Sequence, residues 1–237
     1  TASHKAHAAA VHHRTNYVVP EVDALTRNTV ILNAVESILG PDLLCFGCSL
    51  FTKEANTEHF VSWHQDLHYW GLNADDEVTA WVALSPATLV SGCMRFMPGS
   101  HLQIVEHVDT FSEQNLLSRG QEVAVEVDEA MAVDAPLQTG QVSLHHGRTS
   151  HASHPNRSSE RRIGVAIRYI TPRMAQTSGD KAFATLVRGT DAHGNFELFA
   201  GPRGTLADAD LEVARRALEI NHQNNYRGAA QKPGAAA

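Results

Sequence analysis

The segment SWHQDLHYW holds His64, Gln65 and Asp66 as an H-x-D triplet. In an extended chain residues i and i+2 share a face, so this imidazole and this carboxylate can grip one ion between them. A chain with 15 histidines is expected to contain about one such triplet by chance. A second copy does occur, His107-Val108-Asp109. It follows a polar stretch without strand character and reads as a surface loop, far from any metal.

A 2-His-1-carboxylate centre needs a further histidine from a distant strand and leaves coordination positions open for reactants. The segment GQVSLHHGRTSHASHPNRSSERRIGVAIRY supplies His145, His146, His151 and His154, and spacing does not choose among them. Arg161-Arg162 then opens a largely apolar strand. A guanidinium facing inward there would be costly without an anionic partner. A bound dicarboxylate is such a partner.

These residues must be positioned by short extended segments, expected at 43–52, 60–64, 77–84, 93–97, 121–127, 140–146 and 162–170, separated by Gly, Pro, Asn, Asp and Ser clusters. Helical spacing of Val30, Ile31, Ala34, Val35, Ile38 and Leu39 predicts an amphipathic helix from Arg27 to Leu39, stopped by Gly40-Pro41. A second helix is expected from about Ala207 to Asn221. The first 20 or so residues are Ala- and His-rich without a clear period. Many short strands with helices at the ends predict a mainly β fold with flanking helices, a sandwich or jelly roll, rather than alternating βαβ units. We expect one domain over residues 1–228, with an incomplete N-terminal part because no initiator methionine opens the chain, and a disordered Gly/Ala-rich tail over 229–237.

Composition narrows the function classes. The net charge of −7, with 19 Lys and Arg against 26 Asp and Glu, disfavours nucleic acid as the main partner, because phosphate binding needs clustered positive charge. No apolar run approaches the ~18 residues of a membrane span, and no charged-then-apolar leader opens the chain. Three cysteines cannot form a paired framework, which suits a reducing cytoplasm. Cys45 and Cys48 form a C-x-x-C inside the apolar run DLLCFGCSLF, where positions three apart should point to opposite faces and bind nothing together.

Four ordered blocks, HQDLHYW, WVALSPAT, GCMRFMPGSH and HHGRTSHASHPNRSSERR, resemble the phytanoyl-CoA dioxygenase family of Fe(II)/2-oxoglutarate-dependent oxygenases. The likeness runs from about Leu39 to Tyr169. It implies a double-stranded β-helix, the cupin-like jelly roll, using Fe(II), 2-oxoglutarate and O2. It also implies His64, Asp66 and His151 as metal ligands, with Arg162, eleven positions after His151, pairing with the distal carboxylate of 2-oxoglutarate in a bidentate salt bridge. Gln65 and Trp81 match positions near the cosubstrate, and Ser153 is placed to donate a hydrogen bond to it. Arg161, as the strand neighbour of Arg162, is expected in solvent, and His146 as a structural hydrogen-bonder.

Lys53, His68, Tyr69 and Trp70 are candidates for contacts with the substrate, expected to be a small molecule of amino-acid, zwitterionic or secondary-metabolite type. Arg188 and Asp191 are candidates for an ion pair in a segment closing over the site. Halogenating relatives carry Ala or Gly at the carboxylate position, so Asp66 implies oxygen transfer instead. A cupin-like hydrolase or isomerase, or a non-catalytic binding domain on the same barrel, are the alternatives.

Overall fold

The computed structural model describes residues 2–117, 120–177 and 179–225. It opens with α1 (Ala2–His13), α2 (Thr15–Val18), α3 (Pro20–Thr26) and α4 (Thr29–Leu39). The aperiodic N-terminal stretch is thus helical. Alanine favours helix without needing an amphipathic stripe, and packing of α1 on the barrel and on the C-terminal helix fixes it, with Ala10 buried. In α4 the Asn28 side chain accepts from the Val30 and Ile31 N–H groups at 3.0 and 3.3 Å, and Gly40 at φ +91° ends the helix. Its buried stripe is Ile31, Leu32 and Val35, while Val30 and Ile38 are exposed.

The strands follow as β1 (Leu43–Lys53), β2 (Val61–His64), β3 (Glu77–Ala83), β4 (Met94–Phe96), β5 (His107–Asp109), β6 (Gln121–Val123), β7 (Val133–Ala135), β8 (Val142–His145), β9 (His151–Ser153), β10 (Arg162–Ile170), β11 (Phe183–Arg188) and β12 (Glu197–Leu198), before α5 (Asp208–Asn225). They form a large sheet in the order β12-β11-β1-β10-β3-β8, a smaller sheet β2-β9-β4-β7, and the pair β5-β6. The fold is the jelly roll expected. The three-residue strands β5, β7 and β9, and β11 and β12, lie outside the segments read from sequence. Runs of two or three residues carry too little alternation to be seen, whereas the six residues of β11 are simply missed. The expected tail, 229–237, lies outside the described residues. Among the described residues, no helix is long and apolar enough to cross a membrane.

Alternation along β3 and β10 decides which side chains reach the barrel interior. Val78, Ala80, Val82, Val165, Ile167 and Tyr169 pack outward against α4. Their alternates, Thr79, Trp81, Arg162, Ala166 and Arg168, line the inside.

The C-x-x-C departs from the expected alternation. The register slips between Cys45 and Gly47, and this bulge turns both cysteines onto the same outer layer with Val35 and Ile167. Burial pushes the Cys45 thiol up to about 12 and raises Cys48 as well, so both remain protonated packing groups. Arg188 does not pair with Asp191. It reaches Glu36, and Asn33 at 2.9 Å, whereas Asp191 accepts from the backbone of His193 and Gly194.

Candidate metal and cosubstrate site

β2 and β9 are antiparallel neighbours, and their register sets His64 directly opposite His151. Their ring centroids are 4.1 Å apart. Asp66 opens the short turn after β2, with its Oδ1 3.3 Å from His64 Nε2. One donor atom from each of His64, Asp66 and His151 lies within 4.8 Å of the others.

The two imidazoles are locked in the same way. His64 Nδ1 donates to the Ser62 carbonyl and His151 Nδ1 to the Thr149 carbonyl, both at 2.9 Å. A carbonyl can only accept, so each Nδ1 carries the proton and each Nε2 keeps its lone pair for a metal. Burial, with the neighbouring His64 and His145, drives His151 far below the usual histidine range. Burial alone would raise the Asp66 carboxyl, but its polar surroundings, with the Arg168 charge 3.9 Å away, outweigh it and hold it ionised. Two imidazole nitrogens and one carboxylate suit a divalent first-row ion.

Behind them is a narrow chamber of about 40 Å3 lined by Thr79, Trp81, His145, Ser153 and Arg162, among others. Arg162 is 2% exposed and its Nε has no partner. The guanidinium lies 5.2 Å from the Trp81 ring. Gly164 makes room for that ring, since a Cβ there would sit 2.0 Å from Trp81 Cζ2. Cross-strand from Arg162 is Lys53, fully buried rather than solvated. Its ammonium donates to Ser153 Oγ at 2.6 Å, to the Ser153 carbonyl at 3.1 Å and to the His154 carbonyl. Burial and the Arg162 charge push Lys53 down to about 6, against three oxygen acceptors that match an ammonium. A buried cationic pair with one orphaned guanidine N–H fits the carboxylate of an oxoacid. Arg161 is exposed and pairs with Glu54.

Two expectations are corrected. Gln65 faces away from the chamber, as the residue between two inward neighbours must. Its amide donates to the Ser100, Gln103 and Arg148 carbonyls at 3.3, 2.8 and 2.6 Å and accepts from the Val105 N–H at 3.0 Å. It ties together loops around the site. Gln65→Leu should therefore cost about 1–3 kcal/mol of stability for each group left unpaired, while 2-oxoglutarate affinity stays unchanged. Thermal unfolding and a cosubstrate titration on the same sample separate the two roles.

The second H-x-D is also not a remote loop. His107 lies on β5, and its Nε2 accepts from the Gln65 N–H at 2.9 Å while its Nδ1 donates to the Val105 carbonyl at 2.8 Å. With both nitrogens engaged it braces the backbone between His64 and Asp66. Burial and His68 push it down to about 4, so the ring stays neutral.

The other histidines separate by partner. His146 donates from Nε2 to the Asp75 carbonyl at 2.8 Å, a structural contact, and exposed His154 accepts from Arg95. His145 is different. Its ring is buried 4.8 Å from that of His151, and neither nitrogen has a partner. Of the trio after Asp66, His68 is exposed and stacks on His107 at 4.4 Å. Tyr69 and Trp70 line a larger cavity of about 640 Å3 that opens beside His64 and Asp66 and is also bounded by Phe46, Arg14 and Arg168. Arg168 was legible in principle, since it is six residues after Arg162 on one strand and shares its face. Arg14 was not, because nothing in the sequence joins it to β1.

The family described as phytanoyl-CoA dioxygenase (PhyH) matches residues 2–164. The chain belongs to this family. The probable alpha-ketoglutarate-dependent hypophosphite dioxygenase of Stutzerimonas stutzeri is 30% identical over 152 residues, 62% of this chain and 52% of that protein. The peroxisomal phytanoyl-CoA dioxygenase of Homo sapiens is 32% identical over 75 residues, 30% of this chain and 22% of the human protein. The chain spans about half the length of the first of these curated relatives and less of the second. Among solved structures, the apo form of the non-heme monooxygenase ThoJ superposes with a TM-score of 0.80 at 37% identity, covering 91% of this chain and 79% of ThoJ. The non-heme alpha ketoglutarate dependent carbocyclase SnoK superposes with a TM-score of 0.55 at 25% identity, covering 68% of this chain and 62% of SnoK. Fe(II) and 2-oxoglutarate are the metal and cosubstrate of this family, and the residues present fit both.

Proposed function

We propose that this chain is an Fe(II)/2-oxoglutarate-dependent hydroxylase of a small molecule, consuming O2 and releasing succinate and carbon dioxide. The observation that carries the reading is the buried Arg162, with an orphaned N–H, in one chamber with His64, Asp66 and His151. A hydrolase or isomerase on the same three ligands would have no use for that cation, and a binding domain without catalysis would not need the complete set.

Bound at the three ligands, Fe(II) supplies the oxidising chemistry that turns a substrate C–H into C–OH. His64, Asp66 and His151 would hold the metal, with Nε2 of each ring turned inward by its carbonyl partner. Arg162 would hold the distal carboxylate of 2-oxoglutarate, and Lys53 would keep Ser153 in place beside it. Trp81 walls the chamber and excludes water from the reacting atoms. Oxidation then acts on a substrate seated in the larger cavity, where Tyr69 and Trp70 offer apolar surface. The oxygenase character of the ThoJ and Stutzerimonas relatives supports this reading.

The test is succinate release with Fe(II), 2-oxoglutarate and a panel of amino acids, zwitterions and secondary metabolites. Coupled turnover with a +16 product is expected. A protein that forms no Fe(II)·2-oxoglutarate charge-transfer band would overturn the proposal.

A further inference from the structure

The larger cavity is lined by two arginines, Arg14 and Arg168, to which the oxygenase reading gives no part in holding substrate. Arg14, at the end of α1, is 1% exposed, among the most deeply buried large side chains of the protein. One Nη donates to the Phe46 carbonyl, but Nε and the other Nη have no hydrogen-bond partner. Its remaining neighbours are the Tyr17 and Phe46 rings, at 5.5 and 6.0 Å. Arg168, inward on β10, donates from Nη1 to Ser49 Oγ at 2.9 Å and lies over Trp70 at 5.4 Å. The carboxylate nearest to it is Asp66, at 3.9 Å, which serves the metal site.

Between the two guanidinium groups lies Gly47, the glycine of the β1 bulge. A Cβ there would sit 3.4 Å from Arg14 Nη1 and 3.8 Å from Arg168 Nη1. These nitrogens each donate once, to the Phe46 carbonyl and to Ser49 Oγ, and each has a second N–H to offer, so the missing side chain leaves a niche that both cations border. Like charges gathered in a buried place repel one another and lose hydration, a cost that a shared anion offsets. The other carboxylate lining this cavity, Glu219 on α5, is taken by Arg215. Burial and the Arg168 charge both work against the charged form of Arg14. Around the niche, Phe46, Tyr69 and Trp70 form an apolar wall.

We propose that Arg14, Arg168 and the open space at Gly47 form an oxyanion cradle, so that the substrate is an amphipathic anion. Its carboxylate or phosphonate sits between the two guanidinium groups and its apolar body lies along Phe46, Tyr69 and Trp70. This deepens the oxygenase reading and rests on it for the cavity's role as substrate chamber. Arg14 thereby becomes a specificity residue contributed by the link between α1 and α2. Bidentate recognition by a planar fork explains why both positions are arginine.

The experiment is calorimetric titration of the anaerobic protein, saturated with Fe(II) and 2-oxoglutarate, with benzoate, phenylphosphonate and benzamide. The first two carry the charge, and the third has the shape of benzoate without it. At least one anion should bind about tenfold or more tighter than benzamide, the scale of one charge-assisted hydrogen bond. Arg14→Met should lose that preference. Gly47→Ala should lose it too while keeping both charges, and its added methyl meets nothing closer than 3.4 Å, which keeps the test valid if Arg14→Met fails to fold. The charge-transfer band and 2-oxoglutarate affinity should be the same in both variants. Equal binding of benzoate and benzamide, unaltered anion binding in Gly47→Ala, or displacement of 2-oxoglutarate by the anion would each overturn the cradle. An absent charge-transfer band would remove the oxygenase reading instead, and the same anion titrations would still decide the cradle.

Discussion

Asp66→Ala should lower both Fe(II) affinity and succinate formation by more than about 100-fold, since disturbing merely a group behind a metal ligand costs 10–100-fold. The change removes one of three donor atoms and the negative charge of the set. It also removes the carboxylate 3.9 Å from Arg168 and 3.3 Å from His64, so the Arg168 charge is left uncompensated beside the two remaining ligands. Competition with a chromophoric chelator reads the metal, and succinate release reads turnover. If both survived in the variant, Asp66 would not be a ligand. The native chain, with its carboxylate in place, should give hydroxylated or desaturated product and no chlorinated product even in high chloride. Mass spectrometry of the product mixture checks this.

What the sequence could reveal follows from how local each signal is. The H-x-D lies within three residues, and the parity of an extended chain already places His64 and Asp66 on one face with Gln65 on the other. That parity argued against Gln65 as a cosubstrate contact, and resemblance to the family drew attention there instead. Long strands such as β1, β3 and β10 alternate for enough residues to be read. The three residues of β5 do not, which is why His107 passed for a loop residue although it braces the metal-binding turn. Spacing left His151 open among four nearby histidines and the family resemblance singled it out; that it lies opposite His64 depends on the register across β2 and β9, a tertiary fact. The bulge at Gly47 reversed the expected facing of Cys45 and Cys48, and no pattern of residue types announces a one-residue slip. Arg14 is the extreme case. It sits 33 residues before Gly47, between two helices that show no amphipathic period, and only packing brings it to the cavity.

Arg162→Lys should weaken 2-oxoglutarate binding by about 1.5–3 kcal/mol, the worth of a hydrogen bond to a charged group, or roughly 10- to 150-fold in Kd. The substitution looks conservative, and the environment shows why it is not. Burial brings even the Arg162 guanidinium down to about 10, while the amine of Lys53, paired across the strand, is pushed down to about 6 by burial and Arg162. A second amine in the same place would meet the same desolvation that lowers Lys53, so near pH 7 it would lose its proton as well as the planar fork. The sign of the pH dependence follows. An amine is charged below its pKa, so the variant should bind the dianion better near pH 6 and progressively worse as pH rises to 8. The native protein keeps its guanidinium charged throughout, so any slope it shows comes from Lys53 alone and should be shallower. Titrating the Fe(II)·2-oxoglutarate band at three pH values measures both effects together. An unchanged Kd at pH 7.5 would mean that the distal carboxylate does not rest on Arg162, and a parallel slope in both proteins would trace the pH effect to another group.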